Sequence, residues 1–191
     1  MAQHAEIDGF ANLVSLFYTR AAAGGDAPFL WHKQDRAWQS QSWKDVAGQV
    51  SALAQSLLKL GLAAGDRVVL VSENRPEWFI ADLGIMAAGC VTVPTYTTNT
   101  ERDHQHILDN SGARAVIVST AKLARTVMPA ALRAHVEFLI VMEDMRTAQQ
   151  GDVQLLDWAP LVADGADKIA VATERAATVR IELAASRMAS R

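Results

Sequence analysis

Cysteine is almost missing from this chain of 191 residues, with Cys90 standing alone. A single thiol excludes an internal disulfide and fits a reducing compartment. Metal-ligand clusters are missing too. His4, His32 and His135 have no Cys or carboxylate group at ligand spacing, and His104 and His106 lie two residues apart. On a helix that pair points to different faces and cannot grip one ion, so a solvated helix surface is expected for both. A strong charge of one sign is lacking as well: the net charge is −3 and the pI near 5.9. That gives no electrostatic footprint for nucleic acid. No long apolar run exists either. The most apolar stretch, Trp78 to Val93, contains Asp82 and two glycines and falls short of a bilayer span. Met1 to Glu6 lacks a basic region followed by an apolar core, so no signal peptide is evident. Together these absences predict a soluble, cytoplasmic chain of one domain or slightly more. Half its residues are hydrophobic, enough to bury a real core.

What is present is organised around Gly65 to Thr100. Val68 to Val71 is a short β-branched run, the mark of a strand covered on both faces. Pro76 then suits the first turn of a helix, where its missing N–H has no partner anyway. Gly89 ends that helix, and Cys90 to Val93 reads as a second buried strand stopped by Pro94. With no hairpin turn between them, the two strands imply a parallel βαβ unit.

Before this unit, Asp8 or Gly9 is expected to open a helix carrying Phe10, Leu13, Val14, Phe17 and Tyr18 on one face. Ala21 to Asp26 reads as a small-residue break. Phe29–Trp31 and Ala37–Gln39 predict a short hairpin around Gln34-Asp35-Arg36. Ser42 and Asp45 have the spacing of a capping box, and the helix they open carries Val46, Val50, Leu53, Leu57 and Leu60. Gly61 and Leu62 close it. The Gly61-to-Gly65 spacing is a helix stop and turn, since no phosphate-loop Lys-Ser/Thr follows. After the unit, Thr100 and Asp103 repeat the capping pattern on a polar helix ending at Gly112. Ala115–Val118 and Phe138–Met142 read as further strands, with a Ser119- or Thr120-capped helix between them. The residues around Trp158 read as a short helix or turn. The fold class is therefore α/β: a partial doubly wound parallel sheet, βαβαβαβ, preceded by a helix and a hairpin. Asp167 to Arg191 holds five Lys/Arg against three Asp/Glu, reversing the sign of the rest. A weakly ordered helix or a disordered tail is expected there.

No phosphate loop, dinucleotide fingerprint or catalytic triad appears. Cys90 sits in a predicted buried strand, where a thiol behaves as a small hydrophobe. Asp82 reads as the polar edge of its helix, and the five tryptophans as packing residues. The Pro94-Thr95-Tyr96-Thr97-Thr98-Asn99 loop is the one candidate ligand surface, leaving the carboxyl end of a strand. Capping the next helix is the competing reading of its hydroxyls.

Five segments in order carry a specific resemblance: Ser42-Trp43-Lys44-Asp45-Val46-Ala47, Gly65-Asp66-Arg67-Val68, Ser72 through Trp78, Gly89 through Tyr96, and Asp109 through Arg114. The chain resembles the N-terminal part of AMP-forming long-chain fatty acyl-CoA synthetases, of the adenylate-forming superfamily. The resemblance covers roughly Gly9 to Gly165. It implies domains of 1–165 as an incomplete adenylate-forming N-terminal domain and 166–191 as an atypical tail. It implies a family reaction in which fatty acid, ATP, Mg²⁺ and coenzyme A give acyl-CoA, AMP and pyrophosphate. The family's phosphate loop, adenine segment, ribose-binding Asp and catalytic lysine have no counterparts here. Where the loop is due, after residue 180, the chain reads Ile181-Glu182-Leu183-Ala184-Ala185-Ser186. The expectation is a truncated or out-of-frame fragment without ligase activity that binds none of these cofactors tightly. No catalytic residue and no metal ligand carries over, and Thr97 and Thr98 are cofactor-binding candidates on the coenzyme A side only. Partners expected are a fatty acid in the full-length family and self-association through an open sheet edge, in the cytoplasm or peripheral to a membrane. Two alternatives stand beside this: a non-catalytic acyl-chain- or protein-binding module, and an unrelated flavodoxin-like binding domain.

Overall fold

The computed structural model describes residues 9–144 and 151–178. Helix α1, Leu13–Gly24, starts at Asn12, whose side-chain oxygen accepts the Ser15 amide proton at 2.8 Å. Ser15 Oγ accepts in return from the Asn12 N–H. This capping exchange, rather than Gly9, sets the helix start, and Asp8 lies outside the described residues. The helix also runs through the expected break as far as Gly24, because alanine propagates a helix well.

Strands β1, Pro28–Gln34, and β2, Ala37–Ser42, form the predicted hairpin. Its two turn residues, Asp35 and Arg36, take φ of 50° and 66° without a glycine. Positive φ at both positions is what a two-residue turn needs to match strand twist. Phe29 anchors the hairpin by stacking on Trp43, 3.5 Å between ring centroids. Helix α2, Trp43–Lys59, carries the predicted capping box between Ser42 and Asp45. It ends in paired bonds from Gly61 N–H to Leu58 O and from Leu62 N–H to Leu57 O. Gly61 has φ 88°, the left-handed C′ position glycine occupies without strain.

Strand β3, Arg67–Val71, leads into α3, Pro76–Ala87, and β4, Val91–Thr95. Strand β4 therefore starts later than expected and continues through Pro94. Cys90 instead completes the α3 stop, its N–H bonding Ile85 O. Pro94 is tolerated because β4 is an edge strand. Val91 N–H bonds Asp66 O, so residues 91, 93 and 95 face β3 and Pro94 points its missing donor outward. Four further elements follow: α4, Glu101–Ser111; β5, Ala115–Val118; α5, Ala121–Arg133; and β6, Phe138–Val141.

A fifth parallel strand, β7, Gln154–Asp157, pairs Leu155 with Leu139 and Leu156 with Ile140. Its four residues were too few to separate from the short helix after them, α6, Trp158–Val162. The strand order is β4-β3-β5-β6-β7. Val68, Leu70, Ile117 and Ile140 point to α1, α2 and α3 on one face. Val69, Val71, Val116 and Leu139 point to α4 and α5 on the other. A 3₁₀ turn, Ala166–Lys168, packs on α2, and helix α7, Ile169–Thr178, packs on α1, α2 and α3, with Ala172 and Ala176 buried. Residues 179–191 of the expected tail lie outside the described residues.

At the amino edge of the sheet, Arg114 grips Glu137 with two bonds of 2.6 and 2.9 Å and also reaches Asp66 and Gly61 O. Arg67 donates to Ser111 O and Gly112 O. These bonds tie strand starts to helix ends.

Candidate functional site

The strand order makes the chain turn back across β3, placing the topological switch point between the carboxyl ends of β3 and β5. Open α/β sheets bind ligands in that crevice. Its described occupants come from the loops after β3, β5 and β6. Ser72, Glu73, Asn74 and Arg75 leave β3, and Ser119 and Thr120 leave β5. The Ser119 hydroxyl donates to the Glu73 carboxylate across the gap, and Ser119 is fully buried. Glu143, after β6, accepts the Ala121 N–H at the start of α5 at 3.0 Å. Arg75 donates to Glu77 at 2.7 Å. Burial opposes ionisation of Glu77, but the Arg75 bond and charge hold its carboxyl below the usual range.

A nucleotide triphosphate needs backbone donors and unspent cations at such a crevice. This one offers Glu73 and Glu143, while Arg75 is engaged by Glu77. The α5 N-terminus already holds a carboxylate. This set of residues does not fit a triphosphate. Sequence reasoning missed the Glu73–Ser119 pairing, since the two residues are 46 apart and meet only through the strand order.

Thr97 and Thr98 lie in the turn from β4 to α4, half-buried and exposed respectively. The turn is tied down by Asn99, which donates to Thr95 Oγ1 at 2.6 Å. Thr100 forms the predicted capping box with Asp103. Its hydroxyl therefore has the capping role.

Other candidates sit elsewhere. His106 is exposed, but His104 is 1% exposed, and its Nε2 has no hydrogen-bond partner. The solvated-surface expectation fails for it because α4 turns that face, one turn before buried Leu108, onto the sheet. Burial holds the imidazole below its ordinary pKa, with the Asp103 charge opposing. Cys90 is fully buried, and burial pushes its thiol up to about 11, with Asp66 adding to the effect. A thiol so protonated is no nucleophile. Burial also raises the Asp82 carboxyl, with the Thr92 side chain opposing.

Not all tryptophans pack. Trp31 and Trp38 are 56% and 66% exposed. With Phe79 and Arg75 they border an open groove of about 760 Å³ between the hairpin and the start of α3.

Comparison with known proteins decides what this sheet belongs to. The family described as AMP-binding enzyme matches residues 17–178. The chain belongs to the AMP-binding enzyme family. A similar curated relative is the long-chain-fatty-acid–CoA ligase FadD15 of Mycobacterium tuberculosis, 41% identical over 86 residues. That match covers 45% of this chain and 14% of the ligase. The ACSBG2 long-chain-fatty-acid–CoA ligase of Xenopus laevis is 32% identical over 113 residues, covering 59% of this chain and 15% of its own. Among solved structures, a variant of coronafacic acid ligase from Pectobacterium brasiliense superposes with TM-score 0.70 at 15% identity. It is covered to 29% by 81% of this chain, a likeness that shows the fold. This AMP-binding family member thus spans about one seventh of the length of the curated ligases it matches.

Proposed function

We propose that this chain forms the N-terminal scaffold of a long-chain fatty acid–CoA ligase fold and does not itself activate fatty acids. The carrying observation is the acidic switch-point crevice in a chain that otherwise follows the AMP-binding fold. Catalysis of adenylation demands donors placed on the developing phosphate charge. The switch-point crevice presents the Glu73–Ser119 pair and Glu143 instead, two carboxylates that would repel such charge. ATP, Mg²⁺ and coenzyme A belong to the assembled enzyme, in which Thr97 and Thr98 would lie on the coenzyme A side. The substrate class, long-chain fatty acids, rests on the curated relatives alone.

The test is acyl-CoA formation by the purified 191-residue chain from palmitate, ATP, Mg²⁺ and coenzyme A. No product above the enzyme-free control is expected. Fatty-acid-dependent acyl-CoA and AMP in equal amounts would overturn the reading.

A second reading, a non-catalytic binding module, has one observation in its favour. Trp31, Trp38 and Phe79 are exposed together at one groove, and aromatic residues are enriched where proteins dock. This reading predicts a monodisperse chain with one cooperative thermal transition. Aggregation on size-exclusion chromatography would count against it.

A further inference from the structure

The open groove beside the hairpin follows a strand that has a neighbour on one side only. Strand β1 pairs with β2 and with no other strand among the described residues. Five consecutive β1 residues, 30–34, line the groove, whereas β2 gives it Trp38 alone. The groove therefore runs along the free edge of β1, and its far wall is the start of α3 with the loop before it. The hairpin register decides which backbone groups face it. Gln34 and Ala37 flank a two-residue turn and exchange ladder bonds, as do His32 and Gln39 two residues further on. Trp31 and Lys33 lie between these bonded pairs, so their N–H and C=O groups point away from β2 and into the groove. Among the described residues no turn or loop bond takes up these groups. Strand edges are commonly blunted by proline or by a bulge. Here both devices sit at the start of β1, in Pro28 and the pairing irregularity between Pro28 and Leu30. The stretch from Trp31 to Lys33 pairs regularly and stays open.

Side chains set the sequence such an edge accepts. Leu30 packs on the core, and alternation puts His32 on the same face. Trp31 and Lys33 take the other face, with Trp38 directly across from Lys33. The Nδ1 atom of His32 is buried and has no hydrogen-bond partner among the described residues. We propose that β1 takes up an extended acidic peptide as a third, antiparallel strand of the hairpin. Its acidic residue lies opposite Lys33, and a β-branched or aromatic residue two places later lies opposite Trp31. A Ser or Thr between them turns its hydroxyl toward His32 Nδ1. Main-chain bonds to Trp31 and Lys33 supply the affinity, and the Lys33 charge selects acidic strands over basic ones. This deepens the binding-module reading and rests on it. That reading fails if the chain aggregates, whereas this inference fails on a folded, monodisperse chain whose edge takes no strand.

The probe is the peptide acetyl-Thr-Glu-Thr-Val-Thr-amide, titrated into the full chain and followed by two-dimensional NMR. A strand this short is expected to bind with a dissociation constant on the order of 1 mM. The amides of Trp31 and Lys33 and the indoles of Trp31 and Trp38 should shift. Methylating the peptide nitrogens of Glu and Val removes the donors that face β1 and should abolish binding. Methylating the nitrogen of the middle Thr, which points away from β1, should leave binding unchanged. A peptide with Lys in place of Glu should bind about fivefold more weakly. Lys33→Glu, at an exposed position, should reverse that preference. Four results overturn the inference: no shifts at about ten times the expected constant, shifts centred elsewhere, equal loss on methylating the middle Thr, or an unchanged preference in Lys33→Glu. A dimer whose Trp31 and Lys33 amides are protected from exchange without peptide also overturns it, because a second copy then holds the edge.

Discussion

His104 should make this fold lose stability on mild acidification, and the size of the loss follows from its burial. The ring is 1% exposed and its Nε2 lacks an acceptor, so a proton added there places an uncompensated charge in the core. Its folded-state pKa is therefore lowered, chiefly by burial. In the unfolded chain the same group titrates near the ordinary value of 6.5. Below 6.5 the unfolded state takes up a proton that the folded state refuses. Stability is fully present above 6.5 and falls as pH drops toward the lowered folded value. The slope approaches about 1.4 kcal/mol per pH unit. For a chain of this length that is on the order of 3–5 °C in melting temperature per unit. Urea denaturation at half-unit steps from pH 8 to 5 measures it. His104→Leu, close to isosteric and apolar, should flatten the slope between 6.5 and 5 while keeping stability at pH 8. An unchanged slope in His104→Leu would refute the burial argument. Loss below pH 4.5 has a different origin: Glu137 and Asp66 are held low, the first mainly by the Arg114 bond.

Four further substitutions test packing and edges. A methyl added at Gly165 would meet Gly48 O at 1.8 Å, so Gly165→Ala must push the 3₁₀ turn off α2 and cost roughly 2–3 kcal/mol by denaturant titration. On the facing side, a methyl at Gly48 meets nothing nearer than 3.5 Å, so Gly48→Ala should be neutral or stabilise by up to about 1 kcal/mol. Removing the switch-point bond with Ser119→Ala leaves the exposed Glu73 carboxylate free to turn to water, so it should cost only about 0.5–1.5 kcal/mol in the same assay. Pro94→Val restores an outward N–H to the β4 edge, so it should raise the oligomer fraction on size-exclusion chromatography with little change in melting temperature.

Legibility followed the range of the interactions. Helix α2 was readable from end to end, because its capping box and its Gly61 stop are local backbone chemistry. The parallel sheet was readable because β3, β5 and β6 are buried on both faces and so are written as continuous apolar runs. Strand β7 was not, since Leu155 and Leu156 carry no period over four residues and the pairing partner lies on β6. Pro94 read as a strand stop because edge position is a property of the sheet, not of the segment. His104 and the Glu73–Ser119 bond were hidden for the same reason. One depends on which α4 face meets the sheet, the other on β5 lying beside β3. The turn at Asp35 and Arg36 shows the reverse, a hairpin formed without the Gly that would have announced it.

Nucleotide binding is the most direct test of the scaffold reading. Calorimetric titration of ATP with Mg²⁺ into the intact chain should give only heat of dilution. Glu73 and Glu143 place two carboxylates at the switch-point crevice, where they would repel a phosphate. Saturable ATP binding weakened by charge reversal at the crevice mouth, as in Arg75→Glu, would show that the crevice holds phosphate and would contradict the account.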